Sequence, residues 1–167
     1  MPTPAQLASI FADAINSGDE ALLRSICAST YQGYDTSRKA AQHGRMGLLE
    51  DLRRLSASFP DGRLTLVHQI SNESTTGVFW VLNGTHQGSF LGIPATNRRV
   101  TICGYSHLDF EGGLLQRATH IWDMAALLRS LRLLPDLPDR DTGEDLILGM
   151  RRTLLQPSNA AYPRSTQ

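Results

Sequence analysis

The sequence predicts an α+β fold in which helices come first and an antiparallel meander follows. Over residues 4–16 and 45–57, apolar side chains recur every three or four positions, which is the period of an amphipathic helix. Over residues 63–122 the period changes to two, which is typical of half-buried strands. Because helices and strands are segregated along the chain, the order favours α+β over a parallel α/β sheet.

Three helices are expected in the first part of the chain. Thr3 can cap a helix over 4–16, where Pro4 fits the first turn, and a short helix follows over 19–26. Residues 28–44 have a loop-like pattern. A third helix is expected over about 45–57, with one face apolar and the other charged.

Strands and two further helices are expected in the rest of the chain. The strands are predicted over 63–71, 78–90, 98–110 and 114–122, with turns between them. A helix is expected over 124–133, followed by a helical extension over 141–155. Residues 156–167 are expected to form a disordered tail, so that one domain covers residues 1–155.

Composition excludes several classes of protein. The chain has 167 residues, 41% of them hydrophobic, which is enough to bury a core without disulfides or metal. Its 16 basic and 16 acidic residues give no net charge, which argues against a nucleic-acid partner. Cys27 and Cys103 stand alone, so no metal site is expected. No signal peptide or membrane span is visible, and the predicted location is cytoplasmic.

One run of residues carries a family resemblance. Residues 84–96 read Gly-Thr-His-Gln-Gly-Ser-Phe-Leu-Gly-Ile-Pro-Ala-Thr, which resembles the G-T-H-x-G-x-F-x-G-I-P-x-T run of the SnoaL-like polyketide cyclase family. The Phe-Glu-Gly-Gly hairpin at 110–113 and the Phe-Pro-Asp turn at 59–61 also resemble that family. The resemblance covers about residues 5–134. It implies a nuclear transport factor 2-like cone, in which a curved antiparallel sheet and helices enclose a deep apolar pocket.

Asp123 is the first candidate catalytic residue. The resemblance implies that this Asp, at the end of the returning strand, exchanges a proton with a carbon acidified by neighbouring carbonyls. Independently of the family, an Asp packed against Trp122 and Met124 would lose hydration and become a stronger base. Asp is also a good N-cap, so the same side chain could begin the helix that follows.

His107 and Asp109 are the candidate catalytic partners of Asp123. They stand two residues apart on one expected strand, so both face the same side. The resemblance places them at polar pocket positions, where His107 would stabilise an enolate oxygen or relay a proton. Asp109 would then orient His107. The alternative is that both belong to an outward polar face of a half-solvated sheet.

Five further residues are expected to bind the substrate. His86 lies in the Gly-Thr-His run and shares its strand parity with Trp80, while Tyr34 lies in a loop expected to close over the pocket. Phe90 and Trp122, together with Trp80, would form an apolar wall that keeps the substrate folded and dry.

The resemblance implies a cofactor-independent cyclase or isomerase that uses enolate chemistry on an apolar, polyketide-type small molecule. It also implies a homodimer or higher homo-oligomer that buries the open face of the sheet. Two alternatives remain. One is an epoxide hydrolase of the limonene-epoxide-hydrolase type, in which His107 and Asp109 would face Asp123 and activate water. The other is a non-catalytic module for small-molecule binding or dimerisation.

Overall fold

The computed structural model describes residues 2–38 and 40–136. The chain up to Leu134 forms one compact unit. The extension predicted over 141–155 and the tail predicted over 156–167 lie outside the described residues, so the single domain over 1–155 stays a prediction. In the part of the chain that is described, no helix combines the length and apolar character needed to cross a lipid bilayer.

The six strands form one open, curved sheet, and helices precede its first strand, separate its second from its third and follow its last. The elements in chain order are α1 Pro4–Ser17, α2 Glu20–Ile26, β1 Cys27–Asp35, β2 Gln42–His43, α3 Gly44–Ser58, β3 Arg63–Ser71, β4 Thr75–Thr85, β5 Arg99–Glu111, β6 Leu114–Trp122 and α4 Met124–Ser130. The strand order is β2-β1-β6-β5-β4-β3. All neighbouring strands are antiparallel except β1 and β6, which are parallel. The predicted α+β class is confirmed.

The start of α1 follows directly from the local sequence. Thr3 Oγ1 accepts a hydrogen bond from the Gln6 backbone N–H, and Gln6 Oε1 accepts one from the Thr3 N–H at 2.8 Å. This capping box satisfies two backbone donors that the first turn leaves free. Gly18, with a φ of 65°, ends the helix in a conformation that favours glycine.

The loop predicted over 28–44 is wrong, because strands β1 and β2 occupy most of it. β1 pairs with β6, but the register between them shifts between Cys27 and Gln32. That irregularity breaks the two-residue alternation by which a strand is recognised in sequence. The parallel pairing also depends on a distant segment, which no local pattern reports.

The strand predicted over 78–90 is wrong in its second part, since β4 ends at Thr85. From His86 onward the chain forms a loop. Its base is held by the His86 N–H, which donates to the Arg98 carbonyl, and its tip by a tight pairing of Phe90 with Ile93. The apolar residues of this segment therefore belong to a folded loop and not to a strand.

The helices cover one face of the sheet and bury the core there. Leu7 and Phe11 from α1 and Leu49 from α3 pack with Val78 and Leu108 from the central strands. Each such side chain contributes about 1.5–3 kcal/mol when it is fully buried. This inner face therefore holds the fold together and leaves the opposite, outer face of the sheet uncovered by helices.

The outer face carries a row of apolar side chains. Phe79, Tyr105 and Ile121 are cross-strand neighbours on β4, β5 and β6, and they are 41%, 42% and 53% exposed. A contiguous exposed apolar surface of this kind is typical of a protein–protein interface. The homodimer predicted from the sequence stays a prediction, and this row is the surface on which it depends.

We expect Ile121→Lys to convert a dimer to a monomer, because it places a charge in the centre of the buried face. Sedimentation velocity of the wild-type and variant chains measures the change. Met46→Lys is the matched control, since Met46 is 58% exposed but lies on α3, which packs against the opposite face. A wild-type chain that sediments as a monomer at about 10 µM would contradict the prediction.

Candidate functional site

A cavity of about 180 Å³ lies between the inner face of the sheet and helices α1 and α3, and it is partly open to solvent. Its wall is mainly apolar, with Phe11 and Leu52 on the helix side and Leu64 and Ile102 on the sheet side. A cavity of roughly 150 Å³ accommodates a benzene molecule. This cavity therefore has room for at least one ring of an organic ligand.

Six polar side chains of the described residues also line the cavity, and we call them its polar end. They are Asp35, Arg38, Gln42, Asp51, Ser106 and His120. They come from strands β1, β2, β5 and β6, from helix α3 and from the segment after β1. The site is therefore assembled from elements that are far apart in the sequence.

A cross-strand row forms the floor of the cavity. Trp80, Gly104 and Trp122 are register partners on β4, β5 and β6. A Cβ atom at position 104 would overlap the Trp80 ring and would stand 2.8 Å from Trp122 Cβ. Glycine is therefore required between the two tryptophans if both are to line the cavity.

Trp80, Ser106 and His120 are connected by two successive hydrogen bonds. The Trp80 indole Nε1–H donates to Ser106 Oγ at 2.8 Å, and Ser106 Oγ lies 2.7 Å from His120 Nδ1. Ser106 and His120 are register partners on β5 and β6, so the sheet itself brings them together. The His120 Nδ1 atom is thus engaged, and His120 presents its ring to the cavity.

Trp122 holds the second polar group beside His120. Its indole Nε1–H donates to Asp35 Oδ1 at 2.9 Å. The same oxygen accepts hydrogen bonds from the Ser37 backbone N–H and hydroxyl. Asp35 is also the β1 register partner of His120, so a carboxylate and an imidazole occupy adjacent positions at the cavity wall.

Arg38 connects the two carboxylates of the polar end. Its Nη1 donates to Asp51 Oδ1 at 2.6 Å, and its Nε lies 3.9 Å from Asp35 Oδ2. These side chains are mostly shielded, with 26% of Arg38, 15% of Asp51 and 17% of Asp35 exposed. Charges shielded to this extent interact more strongly than they would on an open surface.

The surroundings of His120 favour its neutral form. Desolvation lowers the pKa of His120, while the nearby carboxylates of Asp35 and Asp51 oppose part of that lowering. Burial alone penalises the charged imidazolium, and a carboxylate favours it. A neutral imidazole next to a carboxylate is suited to accept a proton and then to hold it.

The three aromatic residues predicted to form the apolar wall do so: Trp80, Phe90 and Trp122 all line the cavity. Phe90 and Trp122 face each other with ring centroids 6.3 Å apart. Phe90 reaches the cavity from the loop after β4, although it was predicted on a strand.

The expectation that Asp123 points into the pocket is wrong. Asp123 is exposed, it does not line the cavity, and its Oδ1 accepts the Ala126 N–H at 2.8 Å as the N-cap of α4. After Trp122 the chain leaves β6 and begins α4, whose Leu127 packs with Ile102 of the sheet, and Trp122 is the last residue that lines the cavity. The capping alternative is the one that the structure supports.

The expectation that His107 and Asp109 line the pocket is also wrong. Their side chains contact each other, with His107 Nε2 3.0 Å from Asp109 Oδ1, but they are 45% and 32% exposed and do not line the cavity. On β5 the inner face carries Ile102, Ser106 and Leu108. Residues 107 and 109 have the opposite parity and therefore face outward.

His86 and Tyr34, which were expected to bind substrate, do not line the cavity. His86 is fully buried, lies 3.1 Å from Thr96 Oγ1 through its Nδ1, and packs on Phe59. It therefore shapes the loop behind the cavity wall. Tyr34 is 47% exposed on β1, a strand that sequence reasoning took for a loop.

Sequence reasoning missed the polar end, although part of its signal was present. His120 stands two residues before Trp122, and Ser106 stands two residues before Leu108 on the neighbouring strand. Residues two apart on a strand share a face, so the predicted wall residue Trp122 already implied an inward His120. No local signal was available for Arg38 or Asp51, which reach the cavity through tertiary packing.

The geometry does not point to a metal centre. Within residues 2–38 and 40–136, no three His, Cys, Asp or Glu side chains are grouped closely enough to hold one metal ion. The polar end contributes two carboxylates and one imidazole, but Arg38 stands between the carboxylates.

The fold and the site define a class of small α+β proteins in which a curved sheet and helices enclose an apolar, ligand-sized cavity. The profile of the SnoaL-like polyketide cyclase family matches residues 5–131, which is more than half of the chain. The chain therefore belongs to the SnoaL-like polyketide cyclase family, and the resemblance seen in residues 84–96 is confirmed.

Solved structures have the same fold. TsrD from Streptomyces laurentii is 27% identical, with a TM-score of 0.71 over 78% of this chain and 95% of TsrD. IdmH from Streptomyces antibioticus is 24% identical, with a TM-score of 0.69 over 78% of this chain and 99% of IdmH. A SnoaL-like polyketide cyclase from Agrobacterium tumefaciens is 22% identical, with a TM-score of 0.66 over 78% and 99%. For the last two, the similarity concerns the fold. No curated protein matches this chain.

We expect Gly104→Ala to destabilise the fold by about 1–3 kcal/mol, because the added methyl group displaces the two indoles. Urea unfolding measures the loss. Gly47→Ala is the matched control: Gly47 lies within α3 and its Cβ would have only ordinary contacts, so alanine there should be neutral or stabilising by up to about 1 kcal/mol. Equal effects of the two substitutions would refute the packing argument.

We expect the fold to lose stability as the pH falls below 6.5, the ordinary histidine value. His120 and His86 both have a lowered pKa in the folded state because they are desolvated. The unfolded chain then binds more protons than the folded chain, so the free energy of unfolding decreases with acidification.

Urea unfolding at about pH 7.5 and about pH 5 measures this effect. His120→Asn should reduce the difference between the two free energies, because one of the desolvated groups is gone. His107→Asn is the control, since His107 is exposed and paired with Asp109. An unchanged difference in the His120 variant would argue against a desolvated His120.

Proposed function

We propose that this protein is a cyclase or isomerase that moves a proton on a polyketide-type substrate, with His120 as the acid–base group. The observation that carries the proposal is the position of His120, a desolvated imidazole anchored at Nδ1 in the wall of an apolar cavity. Membership of the SnoaL-like polyketide cyclase family supports the same class of reaction.

The contact of His120 Nδ1 with Ser106 leaves Nε2 as the nitrogen that can react with the substrate. In the tautomer with its proton on Nδ1, His120 donates to Ser106 Oγ, which also accepts the Trp80 N–H. The Nε2 atom then carries the free lone pair and has no hydrogen-bond partner among the described residues. In this tautomer Nε2 acts as the base that removes a proton from the substrate.

Asp35 stabilises the product of that proton transfer. When Nε2 takes the proton, His120 becomes an imidazolium, and the Asp35 carboxylate favours this charged form. The Trp122 indole and Ser37 hold Asp35 in place, so no side chain needs to reorganise during the step. The imidazolium can then return the proton to another atom of the enolate.

The apolar wall positions the substrate for the reaction. Trp80, Phe90 and Ile102 exclude water and confine the substrate close to His120. Holding the reacting atoms together removes much of the entropic cost of ring closure. The wall therefore holds the apolar part of the substrate, while His120 exchanges a proton with its reacting carbon.

Hydrolysis is the second candidate function, since Arg38 lies between Asp35 and Asp51 at the same cavity. Two carboxylates held by a guanidinium can orient and deprotonate a water molecule. The residues first assigned to water activation, His107 and Asp109, lie on the outer face and cannot take part. Incorporation of labelled oxygen from water into the product would favour hydrolysis over cyclisation.

The exchange of carbon-bound protons tests His120 without knowledge of the natural substrate. We expect the wild-type chain to accelerate deuterium uptake by beta-tetralone, an apolar bicyclic ketone, as followed by NMR in D₂O. His120→Asn should reduce this rate by about 10²–10⁴-fold, or to the buffer rate, because the base is removed.

Two controls separate catalysis from folding. His107→Asn removes a histidine from the outer face of the neighbouring strand β5 and should retain the wild-type rate. Asp123→Asn should also retain it, because asparagine caps a helix as well as aspartate. A His120 variant that exchanges protons at the wild-type rate would contradict the role of His120 as the base. A wild-type chain that binds the ketone without accelerating exchange favours a non-catalytic binding module.

A further inference from the structure

The Gly-Thr-His-Gln-Gly-Ser-Phe run at 84–90 ends in a residue of the cavity wall, Phe90. Of the residues within 2–38 and 40–136 that line the cavity, only Phe90 and Arg38 lie outside the helices and strands. A side chain on a loop can define the shape of a binding site only if the loop itself is held in place. The contacts of this loop therefore decide what Phe90 can do.

Ser58, the last residue of α3, binds the segment directly before Phe90. Its backbone carbonyl accepts hydrogen bonds from the N–H groups of Gln87 and Gly88, at 2.9 and 3.1 Å. Its Oγ lies 2.7 Å from the Ser89 carbonyl oxygen, to which it can donate. Ser58 is only 1% exposed, so these hydrogen bonds are shielded from water. Three consecutive residues of the loop are therefore bound to one buried residue of the helix.

Two further features keep the loop in this position. A Cβ atom at Gly88 would overlap the Ala57 carbonyl oxygen and would stand 2.9 Å from its carbon, so glycine is required for the loop to approach α3 this closely. His86 closes the base of the loop, since its N–H donates to the Arg98 carbonyl at 2.9 Å and its carbonyl accepts the Thr96 N–H at 3.2 Å. The loop is thus held on both sides of Phe90.

The ring of Phe90 packs between two other aromatic rings. Its centroid lies 5.2 Å from that of Phe59, in an edge-to-face arrangement, and 6.3 Å from that of Trp122. Phe59 is buried and packs in turn on His86, with ring centroids 5.5 Å apart. Neither Phe59 nor His86 lines the cavity, so both stand behind Phe90. These packed rings oppose any displacement of Phe90 away from the cavity.

We infer that Phe90 limits the size of the ring system that the cavity accepts, and that Ser58 is the residue that positions Phe90. The physical basis is volume. A cavity of roughly 150 Å³ accommodates one benzene molecule, so removal of the Phe90 ring would add space for about one further ring. The inference rests on the proposed function, to which it adds the residue that selects substrates by size.

Two ketones that differ by one fused ring test this inference in the full-length chain. They are beta-tetralone, which has two rings, and dihydroanthracenone, which has three. The dissociation constant of each is measured by titration, followed through the indole N–H NMR signals of the two tryptophans, because both line the cavity. The size ratio is the dissociation constant of the three-ring ketone divided by that of the two-ring ketone.

We expect a size ratio of at least about ten in the wild-type chain, because the third ring meets the fixed ring of Phe90. Phe90→Ala should lower the ratio to about one or below, since the space of the missing ring becomes available. Leu91→Ala is the matched control on the same loop: Leu91 is 41% exposed and does not line the cavity, so the ratio should not change. Phe90→Leu replaces Phe90→Ala if thermal unfolding shows that the alanine variant is not folded.

Ser58→Ala should lower the size ratio at least about threefold, because it leaves the Ser89 carbonyl without its donor and loosens the loop. Ser130→Ala is the matched control. Each of these serines is the last residue of its helix, and each Oγ bonds to the carbonyl oxygen four residues earlier, at 2.7 and 2.9 Å. Of the two, only Ser58 also bonds to the loop. A serine that merely stabilises its helix would lower the melting temperature and leave the size ratio unchanged.

Three outcomes would overturn the size limit: a wild-type ratio near one, an unchanged ratio in the Phe90 variant, or no binding of either ketone up to its solubility limit. An unchanged ratio in the Ser58 variant would overturn the positioning role. The titration needs no turnover, so it is independent of the exchange experiment. A ratio near one with His120-dependent exchange intact rejects the size limit alone, and selection by size without exchange rejects the catalytic role of His120 alone.

Discussion

The site depends on one cross-strand row in which Gly104 stands between Trp80 and Trp122. Because position 104 has no side chain, both indoles can lie on the inner face of the sheet and form the floor of the cavity. A buried indole N–H needs an acceptor, and the acceptors here are Ser106 and Asp35. Ser106 and Asp35 are the strand neighbours of His120. The packing of the two tryptophans therefore also fixes the side chains that surround His120.

The apolar wall and the polar end of the cavity have opposite effects on the pKa of His120. Burial against the wall desolvates His120 and lowers the pKa of this side chain. The polar end supplies Asp35 and Asp51, which favour the protonated form and offset part of that effect. Desolvation therefore favours the neutral imidazole of His120, and the carboxylates favour the imidazolium. The same carboxylates, joined through Arg38, give the cavity a directional end at which a ligand can be oriented.

The two faces of the sheet show how strongly function depends on strand parity. His107 and His120 lie on adjacent strands, and their positions differ by a single step in register. His120 faces a mainly apolar cavity and a carboxylate, whereas His107 faces outward and pairs with Asp109. Histidines that look equivalent in composition therefore differ in hydration, and hydration decides which one can act as a base.

The sequence by itself determined the α+β class, most helix and strand positions, the family, and the aromatic wall of Trp80, Phe90 and Trp122. Those features follow from local periodicity, capping residues and a contiguous motif. Only the tertiary structure decided that β1 joins the sheet in parallel with β6, that Asp123 caps a helix, and that the polar end gathers around His120. The physical reason is that hydration and hydrogen-bond partners depend on side chains brought together from distant segments, which no local pattern in the chain records.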